Sequence, residues 1–354
     1  MPLVANTDLP SFERLRQEGG TVIPLQNAQH QDIRELHIGL LNMMPDKALA
    51  ATERQFFRLV GESNQIAQFY IHPFTIEKLS RASEGRNHID KYYKSFNDIK
   101  EEGLDALIIS GALPGPELSE LSFWDPLIEI VDWAYENVTS TFCSCLATHA
   151  VLQFRYDIKR RLLPEKKWGV YSHRVDDRTH LLVTGVNTRF DVPHSRFYQV
   201  DRKQLEDAKL KVLVESQEAG VHLATSEDGF RIVFSQGHPE YDVISLLKEY
   251  KREVGRYIYE DADEYSPFPE NYFNLQNQAI LKEYRERVLS SKKLKAEPPV
   301  FPEDLLVNTI DNTWHDSAEA VINNWIGKVY QLTDIDRKIP FREGAEHSNP
   351  LDLN

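Results

Sequence analysis

The feature that most constrains the fold is an alternation of short apolar runs with segments of helical periodicity between residues 36 and 144. The runs predicted as strands are 36–43, 65–71, 104–110 and 138–144. The segments predicted as helices are 48–60, 89–99 and 124–135. This alternation favours an α/β fold in which a mostly parallel sheet is flanked by helices. In such folds the functional groups gather at the carboxyl ends of the strands.

The rest of the chain is predicted to complete this domain and to extend it. Shorter β-like runs occur between about 170 and 236, and helices are expected near 276–292 and 316–330. The predicted units are an N-terminal segment 1–35, a catalytic domain 36–255, a C-terminal extension 256–334 that packs on the catalytic domain, and a mobile tail 335–354. A chain of 354 residues can bury a sizeable core without disulfides or a structural metal.

Charge and composition narrow the functional class. The formal net charge of -14 disfavours broad binding to nucleic acid or to anionic membranes, although a local basic pocket for a coenzyme remains compatible with it. The chain contains neither a run of eighteen apolar residues nor a basic N-terminus followed by an apolar core, so a cytoplasmic protein is expected. The 12 histidines show no metal-ligand spacing, and no metal is predicted.

The only two cysteines, Cys143 and Cys145, lie where the strand V-T-S-T-F-C-S meets the predicted helix C-L-A-T-H-A-V-L. A strand that runs directly into a helix forces a tight turn, and the side chain at that turn points into a pocket beside the helix N-terminus. Cys145 is the turn residue, and the helix N-terminus should favour its thiolate, which predicts a nucleophile. The alternative is that both thiols are small buried hydrophobes, and that description is adopted for Cys143.

A second motif, S-Q-G-H-P-E-Y-D, supplies a base and a group to orient it. A thiolate that forms an acyl intermediate needs a general base, for which His238 is the candidate, and Glu240 could hold that imidazole. A capping histidine and a surface glutamate are the alternative. A cysteine at a strand end, followed later by a strand ending in G-H-P-E, resembles the pattern of class I glutamine amidotransferases and implies their flavodoxin-like fold.

The chain more specifically resembles the homoserine O-succinyltransferase and O-acetyltransferase family, which shares that fold and transfers acyl groups from coenzyme A thioesters. The motifs that carry the resemblance are Q-D-I-R-E-L-H-I-G-L-L-N-M-M-P (31–45), S-F-N-D-I (95–99), I-S-G-A (109–112), T-S-T-F-C-S-C (139–145), P-E-K-K-W-G-V (164–170), P-H-S-R (193–196) and G-H-P-E-Y-D (237–242). Their order also matches. Leu146 departs from the family pattern, in which tryptophan commonly follows the cysteine.

The resemblance implies a role for each matching residue. Cys145, His238 and Glu240 correspond to the nucleophile, the general base and the residue that orients the base. Lys166 and Ser195 fall on substrate-contacting positions of the family.

Two further positions follow from the same resemblance. Arg252 corresponds to the arginine that binds the carboxylate of the amino acid, and Gly115 to the position that separates succinyl from acetyl donors. A glutamate there would crowd and repel a succinyl carboxylate, whereas glycine leaves room. Backbone N–H groups of Leu146 and of the G-A-L loop at 111–113, Ala112 among them, are expected to form the oxyanion hole.

The function implied is ping-pong transfer of a succinyl group from succinyl-CoA through Cys145 to the hydroxyl of L-homoserine, in methionine biosynthesis. Acyl-CoA is then a co-substrate, no cofactor is required, the partners are small molecules, and the family implies a homodimer. Several alternatives stay open. They are acetyl transfer, serine as acceptor, a hydrolase of the amidotransferase type, and a protein that keeps the fold without activity.

Overall fold

The computed structural model describes residues 3–30, 33–64, 66–112, 115, 117–259, 262–346 and 348–351. Within these residues the strands are β1 Leu3–Ala5, β2 Val22–Pro24, β3 Glu35–Met43, β4 Gln68–Phe74, β5 Ala106–Ala112, β6 Ser140–Ser144, β7 Arg161–Val175, β8 Arg189–Gln199, β9 Lys211–Ser216, β10 Gly220–Thr225 and β11 Ile232–Ser235. The α-helices are α1 Pro10–Gln17, α2 Leu25–Ala28, α3 Leu49–Ser63, α4 Ser83–Tyr92, α5 Phe96–Glu102, α6 Trp124–Asn137, α7 Leu146–Tyr156, α8 Arg202–Asp207, α9 Ser245–Tyr259, α10 Leu275–Leu294, α11 Glu303–Leu306 and α12 His315–Leu332.

All the described strands belong to one sheet, in the order β2-β1-β4-β3-β5-β6-β11-β10-β9-β7-β8. Neighbouring strands from β2 to β11 pair in parallel, and those from β11 to β8 pair antiparallel. Strands β4 and β6 are buried throughout and β3 is buried from Ile38 onwards, as expected when helices cover both faces of a parallel sheet. The predicted mostly parallel α/β fold is therefore confirmed.

Two apolar layers fix this architecture. Helices α1, α3 and α12 contribute residues to the core on one face of the sheet, while α5, α6 and α7 contribute to the core on the other. Trp325 of α12 is fully buried, and its indole N–H donates to Ser140 Oγ at 2.8 Å. The last helix thus packs against β6, the strand that leads to Cys145.

The strand order places two functional motifs side by side. β6 and β11 are parallel neighbours, with Ser144 opposite Ser235 in the register. Cys145 directly follows β6, and His238 follows β11 by three residues. Because parallel strands end at the same edge of a sheet, the two motifs meet at the carboxyl edge.

Three element predictions require correction. The predicted helix 89–99 is two helices, α4 and α5, because the backbone N–H of Lys94 donates to Pro73 O and Ser95 then starts a new helix through a capping box with Asp98. The strand predicted at 65–71 begins at Gln68, and position 65 lies outside the described residues. The short runs expected from about 170 include a long hairpin, β7 with β8, that starts at Arg161.

Two further contacts join the C-terminal part of the chain to the domain. Glu270 pairs with Gly169, whose φ of 152° and close approach to the Glu270 backbone leave no room for a side chain. The segment predicted as a mobile tail from 335 places Phe341 in the core, and Thr139 Oγ1 donates to Pro340 O. Among the helices in the described part of the chain, none is both long and apolar enough to cross a membrane.

Candidate active site

Cys145 occupies the predicted turn between strand and helix. Its φ of 51° and ψ of -111° are strained for a residue with a side chain, and its N–H donates to Ser235 O at 2.8 Å. The thiol is partly exposed, whereas Cys143, two residues earlier, is fully buried, and burial raises the pKa of the Cys143 thiol. Of the two cysteines, only Cys145 is therefore accessible, at the end of the sheet.

His238 and Glu240 form a buried pair beside this thiol. His238 Nδ1 lies 2.8 Å from Glu240 Oε1, and each residue is 8% exposed. The His238 backbone N–H donates to Pro193 O at 2.8 Å, and Ser144 Oγ donates to Glu240 Oε1 at 3.3 Å. The backbone of His238 is thus held by β8, and the Glu240 carboxylate by the last residue of β6.

The His238 side chain also hydrogen-bonds to Cys145. Because Nδ1 faces Glu240, Nε2 is the nitrogen left for the thiol. Burial opposes the imidazolium, but the charges of Cys145 and Glu240 and the hydrogen bonds to both raise the pKa of His238 well above its ordinary value. The arrangement places a protonatable imidazole beside the thiol, as acyl transfer through a cysteine requires.

Tyr241 and Glu249 complete the site, and neither was singled out by the sequence patterns. The Tyr241 ring stacks on the His238 imidazole with ring centroids 4.2 Å apart, and its hydroxyl donates to Glu249 Oε1 at 2.7 Å. Glu249 Oε2 accepts from Ser195 Oγ at 2.7 Å and from Lys166 Nζ at 3.3 Å. The structure therefore joins Lys166 and Ser195, from neighbouring strands, to one carboxylate that also binds the tyrosine stacked on the His238 imidazole.

The charges within this network support one another. Burial would raise the pKa of Glu249, but Lys166 and the hydroxyl donors Ser195 and Tyr241 lower it overall. Burial lowers the pKa of Lys166, and Glu249 opposes that shift. The Lys166 ammonium also lies 4.3 Å from the centre of the Trp168 ring, which fixes it further.

Arg252 lies outside this network. It is on α9, its side chain is 64% exposed, and its guanidinium pairs with Glu253 at 3.0 Å. Its predicted role as the site for the acceptor carboxylate stays a prediction.

Two backbone segments expected to form the oxyanion hole, at Leu146 and at Ala112, lie next to Cys145. Leu146 is the first residue of α7, where a backbone N–H has no acceptor within the helix. Ala112 ends β5, and a Cβ added to Gly111 would lie 3.7 Å from Cys145 Cβ, so this backbone passes close to the nucleophile. Leu113, the last residue of the predicted loop, lies outside the described residues.

Gly115 is described, and its position is tight. A Cβ added there would lie 2.7 Å from the Leu121 side chain, which would have to shift. Its carbonyl accepts a hydrogen bond from Arg160 Nη2.

A buried pair of histidines, which the sequence patterns did not identify, packs against the turn that carries His238. Arg196 Nη1 donates to His194 Nδ1 at 2.5 Å, and His194 Nε2 lies 3.1 Å from His173 Nε2. Since arginine only donates, His194 must donate to His173, and His173 Nδ1 then donates to Tyr171 O at 2.8 Å. The His194 ring would lie 2.9 Å from a Cβ at Gly237, so this chain packs directly under the turn before His238.

One group of possible metal ligands occurs elsewhere among the described residues. Glu62, His315 and Glu319 each place one ligand atom within 4.8 Å of the others. His315 Nε2 lies 3.1 Å from Glu319 and 3.6 Å from Glu62, distances that ion pairing with an imidazolium also explains. Glu62 comes from α3 and the other two from α12, so the sequence spacing that led us to predict no metal could not reveal this group.

The mostly parallel sheet with Cys145, His238 and Glu240 at its carboxyl edge defines an α/β protein with a cysteine–histidine–glutamate site. A family model described as homoserine O-succinyltransferase matches residues 2–335. The chain belongs to this family of acyltransferases.

Relatives support the same assignment. The chain is 64% identical to the homoserine O-succinyltransferase of Nitrosococcus oceani, covering 100% of this chain and 99% of that one. It is 64% identical to that of Thioalkalivibrio nitratireducens, with 99% of each chain covered, and 46% identical to that of Cardiobacterium hominis, again with 99% of each covered.

Similar solved structures include a glutamine amidotransferase from Methylobacillus flagellatus, with 11% identity, coverage of 84% of this chain and 95% of that one, and a TM-score of 0.46. Another is a glutamine amidotransferase from Thermotoga maritima, with 12% identity, coverage of 85% and 99%, and a TM-score of 0.40. The family assignment rests on the sequence matches and not on these distant likenesses.

Proposed function

We propose that this protein is a homoserine O-succinyltransferase that works by a ping-pong mechanism through a succinyl thioester on Cys145. The observation that carries the proposal is the hydrogen-bonded Cys145–His238–Glu240 set at the carboxyl edge of the sheet. The 64% identity to proteins of that name supports the choice of reaction. The product, O-succinylhomoserine, would serve methionine biosynthesis.

In the first half-reaction the Cys145 thiolate attacks the thioester carbonyl of succinyl-CoA. Backbone N–H groups at Leu146 and near Ala112 stabilise the oxyanion, and the tetrahedral intermediate collapses with release of coenzyme A. One thioester replaces another, so the step is nearly balanced in energy, and positioning and charge stabilisation provide most of the acceleration. His238 supplies a proton to the departing thiolate.

In the second half-reaction His238 removes the proton from the γ-hydroxyl of homoserine, whose oxygen attacks the acyl-enzyme. The tetrahedral intermediate then collapses to O-succinylhomoserine, the C–S bond breaks, and Cys145 leaves as the thiolate beside the protonated His238. Glu240 holds the imidazole through Nδ1, so Nε2 faces the reacting atoms. Lys166 and Ser195, both bound to Glu249, lie beside this base and position the acceptor. Arg252 would bind the acceptor carboxylate. The site must exclude water, because hydrolysis of the acyl-enzyme would waste the donor.

The setting of the reaction is also part of the proposal. The enzyme would act in the cytoplasm as a homodimer on small molecules, with no cofactor, metal, nucleic acid or membrane partner.

The test is a matrix of donors and acceptors. Purified protein is mixed with succinyl-CoA or acetyl-CoA and with homoserine or serine, and thiol release and product mass are followed together. Succinyl transfer to homoserine should be the fastest combination. Faster transfer with acetyl-CoA or to serine would replace the substrate assignment, and ammonia release from glutamine without acyl transfer would replace the reaction class.

A further inference from the structure

A succinyl donor raises a requirement that the catalytic set does not meet. The acyl group ends in a carboxylate, and three C–C bonds place its carbon at most about 4 Å from the carbonyl carbon bound to Cys145. An ionised carboxylate in a partly buried site needs a cation or several donors. The site must therefore hold a cation close to Cys145 that is free to accept an anion.

Among the described residues, the charge of Cys145 favours the protonated guanidinium groups of Arg160 and Arg196. Arg160 also donates to the carbonyl of Gly115, four residues after Gly111, and a Cβ added to Gly111 would lie 3.7 Å from Cys145 Cβ. Arg196 is 4% exposed, and its Nη atoms already donate to an imidazole, a side-chain amide and a backbone carbonyl. Lys166, the nearby ammonium, is held by Glu249. These two cations are engaged in holding the protein scaffold.

Arg160 is differently placed. It follows α7 and is partly exposed, and its guanidinium lies 3.8 Å from the centre of the Tyr198 ring. Among the described residues its one hydrogen bond is from Nη2 to Gly115 O, its Nε is buried without a hydrogen-bond partner, and no carboxylate pairs with it. Burial lowers the pKa of this guanidinium, as expected for a cation that lacks a paired anion.

We infer that Arg160 binds the distal carboxylate of the succinyl group and so selects a dicarboxylic acyl donor. The inference rests on the proposed function. Stacking on Tyr198 fixes the plane of the guanidinium, and a guanidinium of fixed orientation can bind a carboxylate through two parallel N–H bonds. Gly115 holds one Nη2 hydrogen through its carbonyl, and Nε has no hydrogen-bond partner among the described residues.

The test compares donors that differ in charge but not in length. Arg160→Gln and Arg160→Lys are assayed with succinyl-CoA and with butyryl-CoA, which has a methyl group in place of the carboxylate, and homoserine is the acceptor. The matched control is Arg155→Gln, since Arg155 of α7 also stacks on a ring, that of Tyr135 at 3.8 Å, but pairs with Asp132 at 3.2 Å.

Arg160→Gln should lower kcat/KM for succinyl-CoA about 10- to 100-fold, which is the usual effect of losing a charge-assisted hydrogen bond. Its kcat/KM for butyryl-CoA should stay within about threefold of wild type, because that donor makes no ionic contact. Arg160→Lys should fall between wild type and Arg160→Gln, and Arg155→Gln should leave the donor ratio unchanged.

Two results would overturn the inference alone, with the wild type still transferring succinyl groups. In the first, both Arg160 variants keep the wild-type kcat/KM values for succinyl-CoA and butyryl-CoA. In the second, kcat/KM falls by the same factor with both donors. A wild-type protein that transfers no acyl group from succinyl-CoA would instead overturn the proposed function and this inference with it.

Discussion

Replacement of Glu240 by glutamine removes one charge from the site while keeping nearly the same side-chain shape. Glu240 Oε1 lies 2.8 Å from His238 Nδ1, and both residues are almost fully buried. A hydrogen bond to a charged group contributes about 1.5–3 kcal/mol, and each 1.4 kcal/mol is a factor of ten. We therefore expect Glu240→Gln to slow acylation by succinyl-CoA about 10- to 150-fold.

The same substitution should change stability in a pH-dependent way. The pKa of His238 is raised in the folded protein, so protonation of His238 stabilises the fold. This stabilisation is full below the ordinary histidine pKa of about 6.5 and is lost as the pH rises through the pKa of His238 in the folded protein. Glu240→Gln weakens this contribution. The wild type should then exceed the variant in free energy of unfolding most at acid pH, and the difference should shrink in alkaline buffer.

A second effect, which does not depend on pH, also lowers the free energy of unfolding of Glu240→Gln. Glu240 Oε2 is buried and, within the described residues, has no hydrogen-bond partner. If the amide oxygen of glutamine faces His238, its NH₂ group occupies that position. An unsatisfied buried donor costs about 1–3 kcal/mol.

Single-turnover measurements of coenzyme A release, with protein in excess over succinyl-CoA, give the acylation rate. Urea unfolding at several pH values gives the stability. The matched control is Glu129→Gln, since Glu129 has a side chain 65% exposed and pairs only loosely with Lys100, at 3.4 Å. Acylation of Glu240→Gln within twofold of wild type would refute the role assigned to the carboxylate.

Three further substitutions test other parts of the site. Cys145→Ala should lower the pKa of His238, because burial then acts without the thiolate, and an unchanged imidazole titration by NMR would contradict the ion pair. Cys143→Ala should keep full activity and lower the free energy of unfolding by about 1 kcal/mol, since it deletes one buried atom, and a large loss of turnover would show that the inner thiol takes part in the chemistry. Gly115→Glu should shift the ratio of kcat/KM values from succinyl-CoA towards acetyl-CoA through repulsion of the succinyl carboxylate, and an unchanged ratio would remove this position from donor selection.

The parts of the site that follow strands could be predicted from the sequence. Cys145 lies where the periodicity of a strand changes to that of a helix. Such a change requires a turn, whatever the position of the strand in the sheet. His238 and Glu240 are two residues apart, so their contact is local. The proximity of the two motifs then follows from the rule that parallel strands end at one edge.

The rest of the site depends on packing between distant elements, and periodicity carries no information about that. Glu249 lies on α9 among other charged residues, and only the positions of β7 and β8 bring Lys166 and Ser195 to it. The Arg160 guanidinium depends in the same way on the ring of Tyr198 from β8.

The broken helix at 93–95 has a similar cause. The hydrogen bond from Lys94 to Pro73 is a tertiary contact that overrides continuous helical spacing. The capping sequence S-F-N-D that follows was a local signal for the second helix start.

Mass spectrometry of the protein mixed with succinyl-CoA, without any acceptor, tests the central claim most directly. Peptide fragmentation should locate one succinyl group on Cys145, and the group should be absent in Cys145→Ala, present in Cys143→Ala, and lost from the wild type when homoserine is added. Product formation by a wild-type enzyme that never carries the group, or a succinyl group on another residue that homoserine removes, would contradict the covalent mechanism.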